Sequence, residues 1–289
     1  MTPMGNVPEQ KPGAVGKCEP TLLQLPIHGQ VVKLLLHLDA VSQRLIFDNC
    51  QGGLLYEFPS VLALNQFLKP GDTFIDVGAH IGFFTLIASV MVGPNGRVLA
   101  FEPEPHNFDA LRRNVALNQA QNVMLIKAVA GDVEGQVTFY ENLDNDGGHA
   151  LWPPGLHPFN TRTRLSPKPS TAPQVTVDAA LRRAGVKCVA AMKIDTEGAE
   201  VRVARGAREC LGQPELRLVI CEHNRFGLFA LGATSQDLLR EFYTAGFKGF
   251  VTEDGSNFQE ISVDRACQPC GEWAEKFNTD RTENIFFLR

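Results

Sequence analysis

From about residue 70 onward, the apolar positions follow two alternating rhythms. Short, nearly continuous apolar runs cover 73–77, 97–101, 123–129, 189–194, 216–222 and 247–252. Runs of this kind read as strands buried on both faces. Between them, apolar residues recur at spacings of three and four, which predicts helices over 82–92, 105–118, 176–184, 199–211 and 235–245. Phe108, Leu111 and Val115 form such a one-faced stripe. Gly185 and Gly246 follow two of these helices, where a C-terminal glycine is favoured. A further strand is predicted over 136–141, and a last one over 284–288. Strands alternating with helices predict a doubly wound α/β fold on a mostly parallel sheet. The main domain is expected over 70–289. Ahead of it, 21–69 reads as an extension packing on that domain, with extended segments near 34–38 and 45–47 and a helix over 61–68. Residues 1–20, rich in Pro and Gly, read as a flexible tail.

One segment breaks the rhythm. Residues 153–173 hold six of the 18 prolines. That density predicts no packed element, and a loop of this length is either a lid over a site or disordered.

Charge and composition narrow the function classes. The chain has 27 basic and 32 acidic residues, a formal charge of -5, and no long basic run. Nucleic acid is therefore not an expected partner. No apolar run reaches the ~18 residues of a membrane span, so no membrane partner is expected either. The first twenty residues lack a basic start and an apolar middle, which points to a cytoplasmic protein. Seven scattered cysteines fit reduced thiols. Cys267 and Cys270 form a lone C-x-x-C without the second pair that a zinc site needs, and read as surface thiols.

The chemistry concentrates at "FIDVGAHIG", residues 74–82, where an acid sits inside an apolar strand just before a glycine-bracketed turn. Ligands of open parallel sheets lie at the carboxyl ends of the strands. Gly78, Ala79 and Gly82 would let the backbone approach a ligand, and the helix that follows presents free N–H groups. A dinucleotide fingerprint starting at Gly78 needs glycines at 80 and 83, where the chain has His80 and Phe83. A P-loop fails as well, because no Gly-Lys-Ser/Thr follows. A cationic ligand without phosphates remains, and S-adenosylmethionine fits, with Asp76 answering its positive charge directly or through water. Glu102 ends the next strand, twenty residues after Gly82, where a carboxylate can accept both ribose hydroxyls. Pro103 and Asn107 follow it and join the same cofactor set. Val129 and Asp132 are expected near adenine, with Asp132 accepting from the amino group.

"FIDVGAHIGFFTL", "VLAFEPEPHNFDALRRNVALN" and "KIDTEGAE" together resemble the three blocks of the FkbM family of S-adenosylmethionine-dependent methyltransferases, over about residues 57–247. The resemblance implies a seven-stranded Rossmann-like sheet that ends in an antiparallel hairpin strand. It also implies methylation of hydroxyl oxygens on small molecules of sugar or polyketide type. His80 departs from the family, which more often has Asn there; both can donate a hydrogen bond, so His80 joins the expected cofactor-binding set.

An oxygen nucleophile must lose a proton, to a base or with help from a metal. Asp195 and Glu197 lie at the end of the fourth strand, and Glu222, His223 and Asn224 at the end of the fifth. These acids are expected to line the reacting centre by orienting substrate, without a metal. If a hard cation such as Mg2+ binds, Asp195, Glu222 and Asn224 are the ligands expected. His223 and His149 have the ordinary pKa suited to a base. Nitrogen methylation and non-catalytic binding of the cofactor are the alternatives on the same fold.

Overall fold

The computed structural model describes residues 19–279 and 282–289, so the tail expected over 1–20 lies, but for its last two residues, outside them. The chain opens with a hairpin of β1 (Thr21–Ile27) and β2 (Gln30–Leu36), then two helices, α1 (Val41–Gln51) and α2 (Phe58–Phe67). Next come β3 (Thr73–Val77), α3 (Phe83–Val92), β4 (Arg97–Phe101), α4 (Pro105–Leu117) and β5 (Val123–Ile126). Short β6 (Val129–Ala130) and β7 (Gly135–Glu141) lead through a 3-10 turn and α5 (Thr161–Leu165) to β8 (Lys168–Val175). The second half runs α6 (Val177–Ala184), β9 (Ala191–Ile194), α7 (Glu200–Arg205), α8 (Arg208–Leu211), β10 (Leu218–His223), α9 (Arg225–Ala230) and α10 (Ser235–Thr244). It closes with β11 (Lys248–Val251), β12 (Gln259–Glu260), α11 (Glu272–Lys276) and β13 (Glu283–Leu288).

The central sheet has the order β12-β11-β13-β10-β9-β3-β4-β5. The run from β5 to β10 is parallel, and β13 enters antiparallel between β10 and β11. This is the Rossmann-like, doubly wound arrangement of class I methyltransferases, with the two-residue β12 as an eighth strand beyond the seven expected. Strand order reverses between β3 and β9, which opens a crevice at their carboxyl ends.

Alternation along the strands sorts side chains onto the two faces. Phe74 of β3, Ala191 of β9 and Leu218 and Ile220 of β10 pack with β1, β2, α2 and α3. Ile75 and Val77, Met192 and Ile194, and Val219 and Cys221 pack on the other face with α6, α7, α8 and α10. The extension is tied to α4 by side chains: Asn114 accepts from the backbone N–H of Leu35, and Asn118 from that of Lys33.

Five expectations about elements are corrected. Residues 45–47 are helical within α1, where Ile46 is its inward-facing residue. The third strand ends at Ile126, and Val129–Ala130 leaves the sheet to pair with β8. The helix over 199–211 is two pieces broken at Gly206, where a Cβ would collide with the carbonyl oxygen of Gly131. Residues 153–173 are structured: despite Pro169 and Pro173, β8 pairs along its length with β7. A proline is tolerated in a strand where no ladder donor is needed, and β6 reaches only Gln174 and Val175 on the other edge. Cys267 and Cys270 are half-buried in a hairpin-like turn closed by the Val263–Pro269 bridge.

Candidate functional site

A cavity of about 310 Å3 opens at the switch point between β3 and β9. Gly78, Ala79 and His80 of the first turn line one end, with Glu102, Pro103 and Asn107 beside them. Gly78 has φ 82°, a conformation that favours glycine, and a Cβ there would collide with the carbonyl oxygen of Asp195. Its N–H and that of Ala79 both donate to Phe101 O, which clamps the turn onto β4. Glu102 is 5% exposed. One of its oxygens accepts from His80 N (2.8 Å) and the other from Glu104 N (2.9 Å). Burial pushes its carboxyl up to about 7, against the pull of these donors and of His80. Each oxygen keeps a further lone pair for a ligand. Ala128, Val129, Ala130 and Phe139 add an apolar wall.

A strap over 142–149, joined to β7, covers this end. Asp146 is its anchor. Its carboxylate accepts from Ser42 N (2.7 Å) and Gln43 Nε2 (3.1 Å) and meets His80 Nε2 at 2.9 Å, while its backbone carbonyl accepts from Asn107 Nδ2 (2.7 Å). Burial opposes the charge, but these donors hold the Asp146 carboxyl down at about 2. His80 therefore serves through its backbone N–H on Glu102 and its ring on the strap.

Acids crowd the opposite end around one cation. Lys193, on β9, is 2% exposed; its Nζ lies 2.5 Å from Asp195 Oδ2, 3.8 Å from Glu57 Oε2 and 4.5 Å from the centre of the Phe84 ring. Burial disfavours the ammonium, but Asp195 and Glu57 outweigh it and raise its proton affinity. Glu197 and Glu222 complete the rim with Tyr56. Burial and the neighbouring Asp195 carboxylate push the Glu197 carboxyl up to about 8 and the Glu222 carboxyl well above its ordinary value. Glu222 Oε2 has no hydrogen-bond partner among the described residues.

Several expected site residues lie elsewhere. Asp76 does not line the cavity. It shares the face of Phe74, under α3, and accepts from Thr85 Oγ1, so its carboxyl holds a helix to the strand instead of meeting a ligand. Gly82 caps α3 at φ 95°, and a Cβ there would press on Leu111 Cδ1 at 2.7 Å, so it serves helix packing. Asp132 is exposed and outside the cavity lining. His223 alternates to the face opposite Glu222, where its Nε2 meets Ser235 Oγ at 2.8 Å and its ring packs on Phe277. It cannot reach the rim. His149 does line the cavity, but its Nδ1 accepts from Asn142 N (2.9 Å), and burial lowers its pKa. In the neutral ring the other nitrogen then carries the proton, so no lone pair is left for a base. Asn224 donates to Glu197 Oε2, accepts from Gly227 N as the cap of α9, and is outside the cavity lining. Among the described residues no group of three or more His, Cys, Asp or Glu is placed to hold a metal ion.

Sequence reasoning missed Tyr56, Glu57 and Lys193. The signal for Lys193 was present: it is a charged residue inside the apolar run "VAAMKI", the same anomaly that drew attention to Asp76. Glu57 carried none, because it precedes α2 in a left-handed conformation that only the fold reveals.

The buried acids set a pH dependence. Burial holds the carboxyls of Asp76 at about 6, Glu102 and Glu200 at about 7, and Glu197 at about 8. Each binds its proton more tightly folded than unfolded, so each removes stability as pH rises through its window. His149 and His223, lowered by burial, act oppositely below about 6.5. Glu222, also pushed up by burial, acts with the four, and five groups against two make the ligand-free protein less stable at pH 8 than at pH 5. A melting temperature lower at pH 8 by on the order of 5 °C is expected by scanning calorimetry. A rise would contradict the assignment of these acids as buried and proton-loving.

The family model described as "Methyltransferase FkbM domain" matches residues 76–248, more than half of the chain. Methyltransferase sdnD of Sordaria araneosa is 30% identical over 164 residues, 48% of this chain and 62% of that protein. The 31-O-demethyl-FK506 methyltransferase FkbM of Streptomyces tacrolimicus is 28% identical over 182 residues, 54% of this chain and 66% of that protein. The chain thus spans just under two thirds of these relatives' lengths. The crystal structure of Methyltransferase FkbM from Methylobacillus flagellatus superposes over 78% of this chain and 49% of that one, with 14% identity and a TM-score of 0.42, too loose to add to the strand order itself. With the match running from the first strand of the crevice to the strand after α10, this chain belongs to the FkbM methyltransferase family.

Proposed function

We propose that the protein transfers a methyl group from S-adenosylmethionine to a hydroxyl oxygen of a small molecule. The observation that carries this reading is a single cavity lined by Glu102, by the Gly78 turn and by a lysine-paired Asp195, at the ends of three neighbouring strands. The residues present suit the cofactor: Glu102 offers lone pairs for ribose hydroxyls, and Val129 and Phe139 offer an apolar wall for a flat base. When bound, the cofactor supplies an electrophilic methyl group on sulfonium, already activated for in-line displacement.

The chain's part is to hold the acceptor and take its proton. Asp195 Oδ2 is engaged by Lys193 Nζ, which leaves Oδ1 to accept the hydroxyl proton as the new oxygen–carbon bond forms. Glu197 and Glu222, whose carboxyls keep their protons near neutral pH, donate hydrogen bonds that orient the acceptor oxygen. Oxygen as the accepting atom is further supported by the Streptomyces relative, whose name records a demethylated oxygen as its substrate.

The test is methyl transfer from isotopically labelled S-adenosylmethionine to a panel of hydroxylated sugars and polyketide-type compounds, with the product analysed for the atom that carries the label. The label is expected on oxygen, and Asp195→Asn is expected to slow transfer by roughly 100-fold or more while leaving cofactor affinity within about twofold. Label on nitrogen, or an Asp195→Asn enzyme of undiminished rate, would overturn this reading.

A further inference from the structure

Residues 147–177 contain no aspartate or glutamate in a chain whose formal charge is -5, yet they carry Arg162, Arg164 and Lys168. Within this stretch three large apolar side chains point into solvent: Leu156 is 63% exposed, Phe159 83% and Leu165 87%. The segment that displays them is braced. Arg164 donates to the carbonyls of Gly155, His157 and Pro158, Asn160 Nδ2 donates to Pro154 O, and Thr163 Oγ1 donates to Asp144. The His157 ring lies 5.5 Å from Phe159 and 5.0 Å from Phe226 of α9. The apolar tips are thus held outward on a fixed base, where water alone would penalise them.

We propose that the 154–165 segment docks the protein on an anionic membrane surface, with Leu156, Phe159 and Leu165 entering the apolar boundary and the basic residues meeting the headgroups. Protruding apolar tips beside cations suit the interface of a bilayer. Two of the three tips are leucines, which have no ring to stack on a base, so nucleic acid fits less well. Local charge favours the attachment: both arginines are exposed, and the two carboxylates nearby are already engaged, Asp144 by Thr163 and the backbone N–H of Arg162 and Glu141 by Lys168 at 4.0 Å. The expectation of no membrane partner rested on the lack of a spanning run, and no helix among the described residues is long and apolar enough to cross a bilayer. Surface docking needs no span.

The segment begins at the wall of the cavity. Leu151 lines it, and Trp152 Nε1 donates to the backbone carbonyl of Glu197 (2.7 Å). Docking here sets the acid-rich end of the cavity close to the interface. Where the proposed methyl transfer also holds, this marks the acceptor as an amphiphile with a hydroxyl near its polar end.

Co-sedimentation with vesicles tests the docking without cofactor or acceptor, so its failure would leave the methyl-transfer reading standing. Vesicles of phosphatidylcholine alone are compared with vesicles containing about one third phosphatidylserine, at about 0.1 M salt. The protein is expected to bind the anionic vesicles, with Phe159→Ala/Leu165→Ala lowering the partition coefficient on the order of 100-fold and Arg162→Glu roughly 10-fold. These side chains are exposed, so the fold is expected to survive, and far-UV circular dichroism checks it. No binding to anionic vesicles, or equal binding by wild type and the double variant, would overturn the proposal. So would a dimer in sedimentation velocity that the same double variant dissolves, because the tips would then be covered by a second copy.

Discussion

Replacing Glu102 with glutamine is expected to weaken S-adenosylmethionine binding by about 100-fold, measured by isothermal titration calorimetry. A carboxylate that offers a free lone pair to a ribose hydroxyl makes a charge-assisted hydrogen bond worth about 1.5–3 kcal/mol, and one such bond at the upper end of that range gives the hundredfold change. Glutamine keeps one acceptor but places an amide where the carboxylate receives a backbone N–H from His80 or Glu104. The variant must therefore be shown to melt cooperatively before its affinity is read. Unchanged affinity in a folded Glu102→Gln protein would remove Glu102 from the cofactor set. Because burial holds this carboxyl at about 7, binding by the wild type should also strengthen from pH 6 to pH 8 as the ionised form becomes the resident one.

The second large effect concerns Lys193. Its ammonium is the single cation within reach of Asp195 and Glu57 that the described cavity lining supplies at that end. Lys193→Met would leave Asp195 and Glu57 facing each other in a poorly hydrated pocket. Removing one partner of a buried pair costs about 3–5 kcal/mol, and the partial exposure of the two carboxylates places this site at the lower end, about 3 kcal/mol. Thermal unfolding should show the loss at neutral pH. Lys193 has a raised proton affinity, so its contribution is whole below the ordinary lysine pKa of about 10.4 and is lost only as pH climbs above it. A Lys193→Met/Asp195→Asn double variant should recover about half of the loss, because the carboxylate left unpaired is then gone. If the double variant is as unstable as the sum of the two single changes, the pair does not interact as described.

The strand–helix alternation was legible because buried parallel strands leave continuous apolar runs, and the helices between them leave stripes. Even the last strand was visible in "NIFFL", while its antiparallel setting was implied by the family resemblance. The α1 region misled because Leu45, Ile46 and Phe47 are consecutive, and only packing shows that Ile46 is buried, Phe47 half-buried and Leu45 exposed. The proline-rich stretch misled for the opposite reason. Proline forbids a ladder donor, and whether a position needs one depends on its neighbour in the sheet.

The site shows the same division. The Gly78 turn and Glu102 are local in sequence and were found. The reacting end is assembled by alternation across separate strands, so Glu222 and its neighbour His223 look equivalent on paper and point to opposite faces in the fold. The acid in "FIDVG" was singled out correctly as anomalous, but its partner is Thr85 of the following helix, one turn of chain away, and not a ligand.

The central claim is that the Glu102 end of this cavity receives a nucleoside without phosphates. Calorimetric titration of the purified protein with S-adenosylhomocysteine, and separately with NADH, addresses it directly. Saturable one-to-one heat is predicted from the first and none from the second; saturation by NADH with no response to S-adenosylhomocysteine would contradict the account.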